Sequence, residues 1–248
     1  MSFQPRVLRK SLLAGAREAE GVAVIIDVFR AFTSAALMVH LGAQSLTLLA
    51  EPAGVLRLKE EEGYLAVGEV DGRKVAGFDL GNSPSEILAA GQRRFARRPV
   101  AQRTSAGVAG AVAAARQADV VILGSYATAS AAVRYIRSLS SSVGTISLVD
   151  MGSAGREVTP EDEACADYLE HLLTGRPYDH LSALQRIVQH EATQKFLRGN
   201  QPHYPPEDPI LCLQRDLFDF ALVADWENGR LVAKRVEAPP VQGHLLTS

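Results

Sequence analysis

The chain reads as an α/β protein, a three-layer α/β/α sandwich around a mostly parallel sheet, with a C-terminal helical segment and a small β-hairpin. Three observations predict it. Short apolar runs alternate with small-residue helical stretches between Val22 and Val149, the pattern of parallel strands covered on both faces by helices. Polar residues come directly after several of those runs, where open α/β sheets place their ligands. Near the C-terminus Asn228-Gly229 lies between two β-rich runs, a strong hairpin signal.

The first element, Val22 to Val28, is an apolar, β-branched strand that carries an acid, Asp27, near its end. The small apolar stretch after Arg30 has helical spacing and closes on Gly42, since glycine accepts the left-handed backbone that ends helices. Ser45 to Leu49 is a strand, Pro52 to Glu62 a helix opened by proline, and Tyr64 to Val67 a strand. Gly68 to Asn82 is glycine-rich and without helical period, a long loop. Ser83-Pro84-Ser85-Glu86 then supplies an N-cap, a proline at the first helical position and an acid at the third. Strands at Pro99 to Gln102, Asp119 to Leu123 and Thr145 to Val149 alternate with helices at Ser105 to Arg116 and Thr128 to Leu139. Helices come next, from Pro160 to Leu173 and from Leu181 to Arg198, before the hairpin of Phe220 to Asp225 and Arg230 to Lys234.

No repeat, low-complexity tract or linker divides the chain, so residues 1–248 are expected to form a single domain. Within it, residues 1–157 are the α/β core and residues 158–248 the helical excursion and hairpin. A formal net charge of -2 provides no global field for nucleic acid or an anionic membrane. Neither is expected as a partner. Arg93, Arg94, Arg97 and Arg98 are the one dense basic run, read as a helix end whose cations suit the macrodipole. Cys165 and Cys212 have no metal or disulfide spacing, and no leader or long apolar span is evident, so a cytoplasmic location is expected.

Candidate chemistry clusters after the strands. Asp27 suits either a metal ion or loop amides, and Arg30 suits a phosphate, a carboxylate or a salt bridge to Asp27. Glu69, Asp71 and Asp79 lie on the glycine-rich loop, where several carboxylates can converge on one hard cation, and Asn82-Ser83 ends it. Arg103-Thr104-Ser105 combines a cation, two hydroxyls and the start of a helix, a set suited to an oxyanion. Ser125 offers a hydroxyl after the next strand. The phosphate-loop, dinucleotide and serine-hydrolase elbow motifs are absent.

These residues resemble the 2-phosphosulfolactate phosphatases, a family of Mg²⁺-dependent acid phosphatases with an α/β/α fold. VIIDVFRAFTSAA, GEVDGRKVAGFDLGNSPSE, RTSAG, GSYATASA and EDEACADYLEHLL carry the resemblance, which spans most of the chain. It implies hydrolysis of a small phosphorylated acid, with Mg²⁺ near Asp27, Glu69 and Asp79. Arg30, Thr104, Ser105 and Ser125 would surround the oxyanion, and Asn82, Ser83 and Arg103 carry over as substrate-binding positions. Ala106, Val108 and Thr128 replace an Asn, a Thr and an Asn of the family pattern. Those departures leave a second reading open, a small-anion-binding or regulatory protein without turnover. A homodimer is compatible with either.

Overall fold

The computed structural model describes residues 5–139 and 143–240. Among them, ten strands form one sheet: β1 (Arg6–Ser11), β2 (Val22–Ile26), β3 (Ser45–Leu48), β4 (Leu65–Val70), β5 (Arg73–Lys74), β6 (Pro99–Arg103), β7 (Val120–Gly124), β8 (Thr145–Asp150), β9 (Phe220–Glu227) and β10 (Arg230–Glu237). The helices are α1 (Leu12–Arg17), α2 (Ala31–His40), α3 (Pro52–Glu62), α4 (Pro84–Ala90), α5 (Gln92–Phe95), α6 (Gly107–Ala114), α7 (Ala129–Ser138), α8 (Pro160–Thr174), α9 (His180–Gln189), α10 (Glu191–Leu197) and α11 (Glu207–Cys212). The α/β class, the mostly parallel pairing and the C-terminal hairpin are those read from the sequence. The β1–α1 unit at the N-terminus is an addition to that reading.

The strand order is β1-β8-β2-β7-β9-β10-β3-β6-β4-β5. Strands β1, β8, β2 and β7 pair in parallel, as do β3, β6 and β4. The β9–β10 hairpin lies between these two groups and joins both through antiparallel ladders. Its turn uses the left-handed backbone of Asn228 and Gly229, at φ 50 and 75, which matches strand twist. A segment that looks like an appendage in sequence is therefore the bridge of the sheet.

Side-chain alternation assigns the layers. Ala23 and Ile25 of β2 face a core shared with α2 and α6, whereas Val22, Val24 and Ile26 face the opposite core, with α7 and α8. Leu65 and Val67 of β4 reach the α2–α6 core too, while Ala66 packs with Val55 and Leu58 of α3. The inner helices thus touch both halves of the sheet. Strands twist by roughly 20–25° per step, and the twist accumulated from β2 to β4 turns the two oppositely running halves toward each other. The loops after β2 and β6 meet, with the Gly107 amide 2.7 Å from Asp27 Oδ2.

Leu222 in β9 is fully buried in the α2–α6 core. Leu222→Ala is expected to cost about 2–5 kcal/mol in urea unfolding, whereas a peripheral hairpin would lose under about 1 kcal/mol.

Candidate active site

Asp27 stands where the apolar run of β2 meets the loop before α2. Its Oδ1 accepts the Ala31 amide at 3.0 Å and its Oδ2 the Gly107 amide at 2.7 Å. Only glycine fits at 107: a Cβ there would lie 2.7 Å from Asp27 Oδ2 and 2.9 Å from the Phe32 ring. One carboxylate thus locks two helix starts at the carboxyl ends of β2 and β6.

Glu69, near the end of β4, organises the next loop. Its Oε1 accepts the Ser105 amide at 2.6 Å, and its Oε2 accepts the Gly72 amide at 2.6 Å and the Ser105 hydroxyl at 3.2 Å. Arg103 donates to the carbonyls of Glu69 and Ala50 and to Ser105 Oγ. Both Glu69 oxygens are engaged, so this acid shapes the wall.

The excursion closes the other side. Arg30 donates to Asp208 Oδ2 at 2.8 Å, to the His203 carbonyl at 3.0 Å and to the Gly72 carbonyl at 3.2 Å. Its guanidinium lies 5.3 Å from the Phe196 ring centre and 5.5 Å from that of Tyr204. Asp208 also accepts from the Ser83 hydroxyl and from the Ser85 amide and hydroxyl. Asp162 accepts the Val28 and Gly152 amides at 2.7 and 2.8 Å, which ties α8 to the loops after β2 and β8.

These walls enclose a cavity of about 210 Å³. Asp27, Arg30, Glu69, Asn82 and Ser105, five of the residues named from the sequence, line it, and so does Asp71. Thr159, Glu161, Lys195, Phe196 and Tyr204 join them from the excursion. Asn82 Oδ1 and Glu161 Oε2 are buried there without a hydrogen-bond partner.

Other expected residues lie elsewhere. Asp79 is not on the cavity: its Oδ1 pairs with Lys59 at 3.1 Å and Arg94 at 2.9 Å, and its Oδ2 accepts the Ala66 amide. The anticipated convergence of Asp27, Glu69 and Asp79 therefore does not occur, because Asp79 fastens its loop back onto β4 and α3. Among the described residues, no three His, Cys, Asp or Glu side chains form a metal-holding group. Arg30 pairs with Asp208, not with Asp27. Thr104 Oγ1 accepts the Val108 amide, Ser83 caps α4, and Ser125 is buried away from the cavity. Of the three departures from the family pattern, Ala106 alone lines the cavity. Val108 is in the core and Thr128 is buried off the site.

Lys195, Tyr204 and Asp208 carry no signal that singles them out in the sequence, and Glu161, although it opens the EDEACADYLEHLL stretch that resembles the family, is not marked there as a site residue. Glu161 sits in Pro160-Glu161-Asp162-Glu163, where acids at a helix start are explained by the macrodipole alone. The others lie far along the chain and belong to no motif.

Burial sets the electrostatics. It pushes Asp27 up to about 6, against the pull of the Ala31 and Gly107 amides, and the nearby Glu69 charge adds to the rise. It pushes Glu161 up to about 7, with Lys195 opposing. Asp162 is raised well above its usual range by burial and by its neighbours Glu161 and Asp27. The cavity is therefore an acidic site short of positive charge.

An acid-lined cavity at the carboxyl ends of parallel strands defines an α/β enzyme with a site for a small polar ligand. Residues 8–223 match the model of the 2-phosphosulpholactate phosphatase family, and the chain belongs to that family of phosphoric monoester hydrolases. A probable 2-phosphosulfolactate phosphatase of Bacillus subtilis is 28% identical over 201 residues, 80% of this chain and 85% of the relative. One from Thermus thermophilus is 38% identical over 159 residues, 64% and 65% of the two chains. A 2-phosphosulfolactate phosphatase of Methanocaldococcus jannaschii is 38% identical over 68 residues, 27% of each.

Glu161 has a usual value of 4.5, and in the fold it is raised to about 7. The unfolded chain then releases this proton first as pH rises, so the fold loses stability between about 4.5 and 7 and carries the full penalty above. That penalty is on the order of 3 kcal/mol. Glu161→Gln is expected to raise the melting temperature at about pH 8 and to leave it little changed near pH 4.5; parallel pH profiles for both proteins would refute the assignment. Gly107→Ala, by displacing Asp27, is expected to lower both the melting temperature and any turnover, the latter by about tenfold or more.

Proposed function

We propose that the chain is a Mg²⁺-dependent phosphatase acting on a small anionic phosphomonoester of the 2-phosphosulfolactate kind. The observation that carries this is the buried acidity of the cavity, where Asp27, Glu69 and Glu161, only partly offset by Arg30 and Lys195, disfavour a phosphate that enters alone. A divalent cation removes that conflict. Asp27 and Glu161, with the unpartnered Asn82 Oδ1, are hard oxygen donors of the kind Mg²⁺ accepts, and one or two carboxylates leave its other positions to water and substrate phosphate. Each Asp27 oxygen accepts a single amide and keeps a lone pair, whereas Glu69 takes three donors; this supports Asp27 and Glu161, in place of Asp79 and Glu69, as the acids that would hold the ion. Bound there, Mg²⁺ supplies electrostatic stabilisation of the charge that develops on the transferred phosphoryl group.

The chain's own residues do the rest. Asp27 fixes the starts of α2 and α6 so that the cavity floor does not reorganise during reaction. Glu69 and Arg103 hold the 104–106 turn against β4. The Phe196 and Tyr204 rings pack beside the Arg30 guanidinium and give the cavity wall an apolar portion. Ala106 on the wall keeps in view the alternative of an anion-binding protein without turnover.

Phosphate release from 2-phosphosulfolactate and a panel of phosphomonoesters is expected with Mg²⁺ and not with a chelator. Failure on every compound with Mg²⁺ present overturns the reading, and ligand-induced thermal stabilisation without release would favour the alternative. Asp27→Asn is expected to lower kcat by about 100-fold or more, as the loss of preorganised charge in a site does. Asp79→Asn, remote from the cavity, should stay within about threefold of the parent, because its ion pairs are partly exposed.

A further inference from the structure

Lys195 is, among the described residues, the one cation of the cavity wall whose hydrogen-bonding capacity is unspent. Two cationic side chains line the cavity, Arg30 and Lys195. Arg30 makes three hydrogen bonds to Asp208, His203 and Gly72 and is held as structure. Lys195 is half-buried at the last turn of α10, and among the described residues no hydrogen bond or ion pair holds its ammonium. Its Nζ lies 4.7 Å from the Tyr204 ring centre and 5.5 Å from that of Phe196. A lysine that only complemented the helix dipole would extend into water. This one is laid into the cavity over two rings.

Asp27, Asn82 and Ser105, on loops after the strands, and Glu161, at the start of α8, line the part of the cavity proposed above for the cation and phosphate. Lys195, Phe196 and Tyr204 come from α10 and the loop after it, another segment of the same cavity wall, from which the Lys195 charge acts on Glu161. An ammonium on a partly desolvated aromatic bed, with its donors unused, is suited to a carboxylate or sulfonate, since charge-assisted hydrogen bonds gain strength where water is scarce. Resting on the phosphatase reading for the location of the phosphate, we propose that Lys195, flanked by Tyr204 and Phe196, is an acid-binding subsite that selects phosphomonoesters carrying a second anionic group. Lys195 is a specificity-determining residue; it takes no part in breaking the phosphate ester.

The test compares 2-phosphosulfolactate, which has carboxylate and sulfonate groups beside its phosphate, with glycerol 2-phosphate, which has no second acid. Lys195→Gln is expected to lower kcat/KM for the former by about 10- to 100-fold, mostly through KM, as loss of a charged hydrogen bond does. On glycerol 2-phosphate the change stays within about threefold, and Lys195→Arg retains most of the preference. Equal losses on both substrates, or no loss on either, overturn the proposal. Calorimetric titration with 3-sulfolactate, which has no phosphate to lose, separates this outcome from that of the phosphatase reading. Weaker binding to Lys195→Gln than to the parent supports the subsite even if neither compound is hydrolysed. No binding to the parent, or equal binding to both, refutes it.

Discussion

The Arg30–Asp208 pair holds the site together. Both side chains are buried, at 5% and 0% exposure, and burying charges costs several kcal/mol each unless the remaining donors and acceptors are satisfied. Here they largely are. Asp208 accepts from Arg30, Ser83 and Ser85, and Arg30 reaches the carbonyls of Gly72 and His203. The pair therefore fastens the helical excursion to three core segments at once: the loops after β2 and β4 and the start of α4. Leaving either partner alone would strand a buried charge, a loss of about 3–5 kcal/mol. The rings of Phe196 and Tyr204 pack on the same guanidinium, so the position of Lys195 beside them depends on it as well.

With the excursion anchored, the cavity can carry an unfavourable charge distribution. Asp27, Glu161 and Asp162 are raised by burial and by neighbouring acids. Their bonds to backbone amides soften the cost without cancelling it. Acids placed this way weaken the empty fold near neutral pH and are relieved by a proton or a cation. Such local conflict between stability and arrangement marks functional sites more often than scaffolds.

The sheet explains how residues so distant in sequence come together. Two parallel groups run in opposite senses on either side of the β9–β10 hairpin. A flat sheet would send Asp27 and Glu69 to opposite edges. Twist about the shared helices α2 and α6 brings the loops after β2, β4 and β6 to one cavity.

Local sequence is sufficient for most elements, because strand alternation, proline starts and glycine stops are decided within a few residues. The α3 range, the Ser83 cap of α4 and the Asn228-Gly229 turn obey such rules. The cavity residues contributed by the strand ends, Asp27, Glu69, Asn82 and Ser105, are legible for the same reason: parallel strands expose the residues just beyond their carboxyl ends. β1 is not legible, since RVLRKS has three cations and little apolar pattern and acquires strand form by pairing with β8. Nor is the fate of Asp79, whose carboxylate has as good a claim as any on its loop until Lys59 and Arg94 are placed beside it. Lys195 and Asp208 depend on contacts across long stretches of chain that no short-range signal encodes, and Glu161, though it opens a stretch that resembles the family, reaches the cavity only through such contacts. The sequence by itself determined which chemistry was available at the ends of the strands. Only the tertiary structure decided which acids share a cavity, which arginine is spent on the fold and which lysine is left to meet a ligand, because those outcomes rest on burial and on partners that chain-local rules do not supply.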